Sequence, residues 1–218
     1  KYLCDKIDPS EVTILFQKTN SEKVFDSLKK MGFEKFQSLK HLEKYRIAPD
    51  LEIFVYAHRH LDSSLGIIYK GNNKILNIND TELNDNDCKK ILSEFGSFPI
   101  LLNQFSIAGF EGVYDKKILH NQKTEVIKKT IRHHKMLRAD ITIPFASFMY
   151  FCCHDNKFLN SFSNTIFDFK EAFDKQNMKY AIIKLNSDKI PLDKINKVDD
   201  SEYFKELYFE KPHKMLKS

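Results

Sequence analysis

Apolar and polar positions along the chain alternate between two periods, and the changes of period mark its elements. Residues 12–17 (VTILFQ) form a short, β-branched apolar run, the pattern of a buried strand. Residues 21–31 have helical spacing: Ser21 can cap the first turn, Val24, Leu28 and Met31 share a face, and Gly32 ends the run. Residues 34–39 alternate as a strand does, and 51–57 (LEIFVYA) predict another, followed by a polar turn over 58–62. Residues 64–69 and 74–78 flank Gly71-Asn72-Asn73, which tolerate positive φ and so predict a hairpin.

The second half reads as longer helices between short strands. Asp85–Phe95 has Ile91, Leu92 and Phe95 on one side, and residues 98–102 form a short strand with Pro99 near its start. A longer amphipathic helix is expected over 124–137, with His133 and His134 on its solvated basic face. Residues 140–143 begin a strand that Pro144 should stop. Residues 160–177 predict a helix with a face of Phe162, Phe169 and Phe173, and 180–185 a last strand. Past Asn186 the chain turns polar, around Pro191, and reads as an appendage packed through Tyr203, Phe204 and Tyr208. The expected division is one domain over 1–185 and an appendage over 186–218. Strands outnumber helices early and several pair as hairpins, which favours layered α/β with mixed sheets over alternating βαβ. No glycine-rich phosphate loop is present, which argues against dinucleotide and P-loop folds.

Composition narrows the picture little further. The 218 residues can bury a core without disulfides, and 19 Phe and 9 Tyr, with no Trp, carry much of the packing. The net charge of +5 arises from 35 basic and 30 acidic residues that are well mixed, so no nucleic-acid surface is expected. Cys4, Cys88, Cys152 and Cys153 lack CxxC spacing and read as reduced thiols of a cytoplasmic protein. No apolar run approaches membrane-spanning length and no signal peptide is evident. A chain beginning at Lys1 suits a fragment or processed product.

Four constellations could carry chemistry. The apolar stretch Ile75-Leu76-Asn77-Ile78-Asn79-Asp80 delivers a carboxylate to a strand end, where a rigid backbone could fix an oxygen for a metal. Equally, Asp80 could cap the turn at Thr81. His58-Arg59-His60 lies just after a strand and could place two imidazoles near one centre, or leave both in solvent, with Asp62 able to orient one of them. In Ile141 to Phe148 a buried strand delivers a small-residue turn with Ser147, and Cys153-His154-Asp155-Asn156 follows. There His154 could be a ligand, a general acid or a cap. Finally, the strand before Asn103 opens into Gln104, Phe105, Ser106 and the loop to Phe110, a mix of amide, hydroxyl and aromatic groups suited to a pocket wall. His41, His120 and His213 read as surface residues.

The order of strand, Gly-containing turn, strand ending in Asn-Asp, helix and second strand–loop resembles the later part of the metallo-β-lactamase fold. Within it, LNIND (76–80), PFASFMYFCCHDNKFLNSFSNT (144–165) and ILFQKTNSEKVFDSLKKMGFE (14–34) resemble the metal-dependent domain of CMP-N-acetylneuraminate hydroxylase and its bacterial relatives from surface-polysaccharide clusters. That resemblance implies an αββα sandwich, here without its N-terminal sheet and H-x-H-x-D-H metal loop. It also implies one or two divalent ions (zinc, iron or manganese), with Asp80 as the bridging carboxylate and His58 or His60 as a further ligand. Asp80 and His154 would be catalytic, with substrate against Gln104, Phe105, Ser106, Ser147 and Asn156. The implied activity is hydrolysis of a sugar or nucleotide-sugar. The alternatives are an iron-dependent hydroxylase component served by an electron-transfer partner, or a non-catalytic binding module with a lost metal site.

Overall fold

The computed structural model describes residues 7–18, 23–58, 63–109, 112–184, 189–206 and 208. It divides into two compact units, Lys1–Asn73 and Lys74–Ser218, each with its own core.

In the first unit, β1 (Thr13–Gln17) and β2 (Lys35–Leu39) pair in parallel across the helix α1 (Lys23–Lys30). Strand β1 was expected to be buried, but Thr13 is exposed and Ile14, Leu15, Phe16 and Gln17 are half-buried. The helix turns Phe25 and Leu28 inward and leaves Val24 and Met31 exposed, so the expected apolar face is displaced. The cause is aromatic packing: the Phe25 ring meets Phe16 and Phe36 edge-on, with centroids 4.8 and 5.3 Å away. The predicted cap, Ser21, lies outside the described residues, while Gly32 takes the φ of +93° that ends the helix. Three antiparallel strands follow: β3 (Tyr45–Ala48), β4 (Leu51–Ala57) and β5 (Ser63–Tyr69). The pattern had not suggested β3, a four-residue edge with Ile47 exposed. Leu39, Ile53 and Val55 form this unit's core against Leu15, Tyr45, Leu65 and Ile67. Positive φ in the hairpin turn falls at Lys70 and Gly71, so of the expected Gly71, Asn72 and Asn73 it is Gly71 that takes it.

The second unit alternates strictly: β6 (Asn73–Asn79), α2 (Asp85–Phe95), β7 (Ile100–Gln104), α3 (Lys116–Met136), β8 (Ile141–Phe145). Its three strands are parallel, in the order β6-β7-β8. The expected layered α/β with both antiparallel and parallel pairing holds for the chain, and the alternation that it was set against is confined to this unit, where crossover helices join parallel strands. Period-two alternation sends Ile75, Ile100 and Ile141 to one face, over Ala181 and Ile195. Leu76, Leu101 and Thr142 form the adjacent row on the other face, where α3 docks.

Pro144 does not stop β8 but pairs with Asn103 inside it. Thr142, two residues earlier, hydrogen-bonds away from β7, to Lys179 and Ala181. Pro144 points the same way, so its missing N–H removes no bond to β7. The single helix expected over 160–177 is instead a 3₁₀ segment, Lys157–Phe162, and α4 (Ile166–Asp174). Thr165 and Asp168 form a capping box that starts α4 afresh. Residues 180–184 make isolated bridges, Tyr180 to Thr142 and Ile182 to Asp199, where a strand was expected. Past them lie a 3₁₀ segment, Leu192–Lys197, and α5 (Ser201–Lys205). Phe204, from the stretch read as an appendage, is 2% exposed among Phe105, Ile166, Phe169, Phe173 and Ile182, and Ile195 joins the sheet core. No helix among the described residues is long and apolar enough to cross a membrane.

Candidate functional site

Parallel strands of one sense bring their C-terminal ends to a common edge, and the loops beyond that edge are free to meet a ligand. In β6 the edge is reached at Asn79, whose φ of +52° is left-handed. Asn adopts this conformation more readily than other side chains because its short amide can bond locally. Its Nδ2 donates to Oδ1 of Asp80 at 2.8 Å, which holds the exposed carboxylate just beyond the strand. At the turn around Thr81, where Asp80 was the alternative cap, Thr81 N donates to Ile78 O and Leu83 N to Thr81 O, and the helix beyond is capped by Asn84 in a box with Asp87.

Asp80 opens onto a small cleft of about 50 Å³ with Glu82, Asn103, Gln104, Lys129 and His133 around it. Lys129 donates to Glu82 at 2.6 Å. Gln104 is fixed at both ends: Nε2 donates to Ser106 O at 2.8 Å, and its own carbonyl accepts from Thr130 Oγ1 at 2.8 Å.

Beneath the cleft, His133 is 3% exposed and lies between α3, β7 and the loop before α2. Its ring bonds Asn103 Nδ2 through Nδ1 at 2.9 Å and Leu83 O through Nε2 at 2.9 Å. The carbonyl can only accept, so Nε2 carries the proton and Nδ1 accepts from the amide. Burial pushes its pKa down to about 4, and the neighbouring Arg132 and Lys129 add to that fall. His134, 8% exposed, bonds Thr142 Oγ1 at 2.8 Å, and burial lowers its pKa too. Both histidines had been expected on a solvated face. They point at the sheet because Asn103 and Thr142 supply polar partners there, which an apolar sheet face would not. The spacing of Thr130, His133 and Leu137, all buried, was the overlooked signal.

The other expected site residues are scattered. His58 lies half-buried after β4 in the first unit, and His60 and Asp62 fall outside the described residues, as do Phe110, Cys4 and His213. His41 is exposed and accepts from Ala57 N at 3.1 Å. His154 is 91% exposed in a turn, 3.6 Å from the equally exposed Asp155, so solvent and not a cleft surrounds it. Phe105 is fully buried, edge-on to Phe148 and Phe169 at 5.1 and 6.1 Å, which makes it a core residue where a pocket wall had been expected. Ser106, 1% exposed, accepts from Asn164 N at 2.7 Å and so secures α4's approach. Ser147 is 2% exposed, directly after Ala146 with its left-handed φ of +58°. Asn156 is half-buried ahead of the 3₁₀ segment. Cys152 and Cys153 are exposed and Cys88 is buried, all as free thiols.

A divalent ion needs several anionic or imidazole donors turned to one point. Around the cleft Asp80 offers a carboxylate, but Glu82 is held by Lys129 and both ring nitrogens of His133 are engaged. Among the described residues no three His, Cys, Asp or Glu side chains gather in that way. The described cleft residues therefore do not by themselves complete a metal site.

The fold and this edge define a mixed α/β protein with a polar cleft beyond its parallel strands. No protein-family model matches the chain, and no characterised protein matches it significantly in sequence. In structure it is similar to the metallo-β-lactamase fold protein YhfI from Bacillus subtilis, at 13% identity and a TM-score of 0.43. The overlay covers 80% of this chain and 64% of that one. An overlay so loose carries no argument about fold or activity.

Proposed function

We propose that the chain belongs to a metal-dependent hydrolase of metallo-β-lactamase type, to which it contributes Asp80 as a cation-binding carboxylate. The observation that carries this reading is the presentation of Asp80: an exposed carboxylate set by left-handed Asn79 at the mouth of a polar cleft. At about 50 Å³ the cleft has room for an ion or a water and not for a ring, so the sugar or nucleotide-sugar of the resemblance would lie over its mouth, beside Asp80. The test is titration of the protein with zinc, iron(II) and manganese, followed by isothermal calorimetry. Asp80→Asn keeps the side-chain size and removes the charge. It should weaken binding at least tenfold, at unchanged far-UV circular dichroism. Equal affinity in the variant would remove Asp80 from the site.

A second reading is a binding module without catalysis, favoured by the engagement of His133 and Glu82 in the protein's own contacts. It predicts a protein that stays metal-free after reconstitution while still binding a sugar.

A further inference from the structure

A second, larger pocket lies apart from Asp80, where the chain after β8 folds over the start of α4. It has a volume of about 210 Å³, below the roughly 300 Å³ at which pockets for drug-sized ligands begin. That is room for a single ring. Met149 and Tyr150, each 40% exposed, and Tyr208 supply its apolar surface.

The polar lining is unusual in how its protons are already used. Ser163 Oγ donates to Leu159 O at 3.0 Å. Thr165 Oγ1 donates to the Asp168 carboxylate at 2.8 Å. Asn164, 3% exposed, has its Nδ2 bonded to Phe105 O at 2.9 Å and to Lys123 O at 2.8 Å, which uses both amide hydrogens. Asn160 is committed at both ends of its amide, Nδ2 donating to Phe151 O at 2.9 Å and Oδ1 accepting from Phe151 N at 2.9 Å. An amide or hydroxyl whose hydrogens are committed keeps its oxygen lone pairs. The pocket therefore offers acceptor oxygens of Ser163, Asn164 and Thr165 together with the hydroxyls of Tyr150, Ser161 and Tyr208, between aromatic and thioether surfaces. No Asp, Glu, Lys or Arg lines it.

A ligand for such a wall must bring hydrogen-bond donors, carry no charge and have an apolar face. A cation would find no carboxylate in the lining, and a carboxylate or phosphate would find no cationic side chain to offset its charge. We propose that this pocket binds one pyranose ring, its hydroxyls donating to the Ser163, Asn164 and Thr165 oxygens and its C–H face lying on Tyr150. The site is distinct from the cleft at Asp80 and needs no cation.

Saturation-transfer NMR on the full chain tests this, with methyl glycosides of glucose, galactose and N-acetylglucosamine as probes and EDTA present. Chelation separates the result from whatever Asp80 binds. At least one glycoside should receive transfer, and Tyr150→Ala, at an exposed position that folding tolerates, should weaken its binding at least fivefold. Transfer to none of the three overturns the proposal, as does transfer that survives in Tyr150→Ala and in Met149→Ala. Preferential binding of ethanolamine or of glucose 6-phosphate would also overturn it, by showing that the pocket selects charge.

Discussion

At the scale of single residues, His133 is the most consequential group in the second unit. In the unfolded chain its imidazole titrates near 6.5, and in the folded protein near 4, chiefly because burial disfavours the cation. The folded state therefore prefers the neutral ring, and its contribution is complete above the unfolded value. As pH falls from 6.5 towards 4, the unfolded chain takes up a proton that the native ring refuses, and stability is lost. Across that window the loss is about 3 kcal/mol, with His134 acting in the same direction. Urea unfolding near pH 7 and near pH 4 measures it. His133→Gln should lower stability at neutral pH and flatten the dependence between the two. A variant whose acid loss equals that of the parent would show that the ring is not the titrating group. Sequence periodicity had placed this residue in solvent, because a basic run around it outweighed the spacing of its buried neighbours.

At the scale of elements, packing is decided by a few close approaches. Gly66 on β5 stands opposite Phe54 on β4, and a methyl group added there would lie 1.9 Å from the Phe54 ring. Phe54 is fully buried, so the ring cannot swing clear without displacing the core. Gly66→Ala is expected to cost about 1–3 kcal/mol through overpacking. Thermal unfolding measures that cost, and Gly66→Ala with Phe54→Leu should recover part of it. No recovery in the double variant would mean that the strain lies in the backbone. Helix α4 rests on its own device, the Thr165–Asp168 box. Thr165→Ala removes one cap and leaves an amide short of its partner, at a cost of about 1 kcal/mol. Thr165→Ser keeps the oxygen and should retain most of the stability in the same denaturation experiment. Equal stability of Thr165→Ala and the parent would sink the capping argument.

At the scale of the whole molecule, binding is read through stability. A cation that binds the native state alone raises the unfolding midpoint in proportion to how far its concentration exceeds Kd. Manganese or zinc should thus raise the Tm of the parent chain and leave that of Asp80→Asn nearly unchanged. An equal rise in both would place the cation elsewhere.

Much of the chain's architecture was legible beforehand. Although the parallel pairing on either side of α2 does not follow from short-range pattern, the bounds of α2, β4 and β6 to within a residue and the arrival of Asp80 at a strand end do. Those features depend on period, turn chemistry and caps, which act within a few residues. What only the tertiary structure decided is where polar groups find partners. Asn103 and Thr142 turn two histidines inward, Phe105 leaves the pocket wall for the core, and Pro144 survives in a strand because its nitrogen faces away from β7. Each of these outcomes joins residues far apart in sequence, and burial and hydrogen bonding between such residues have no signature in local periodicity.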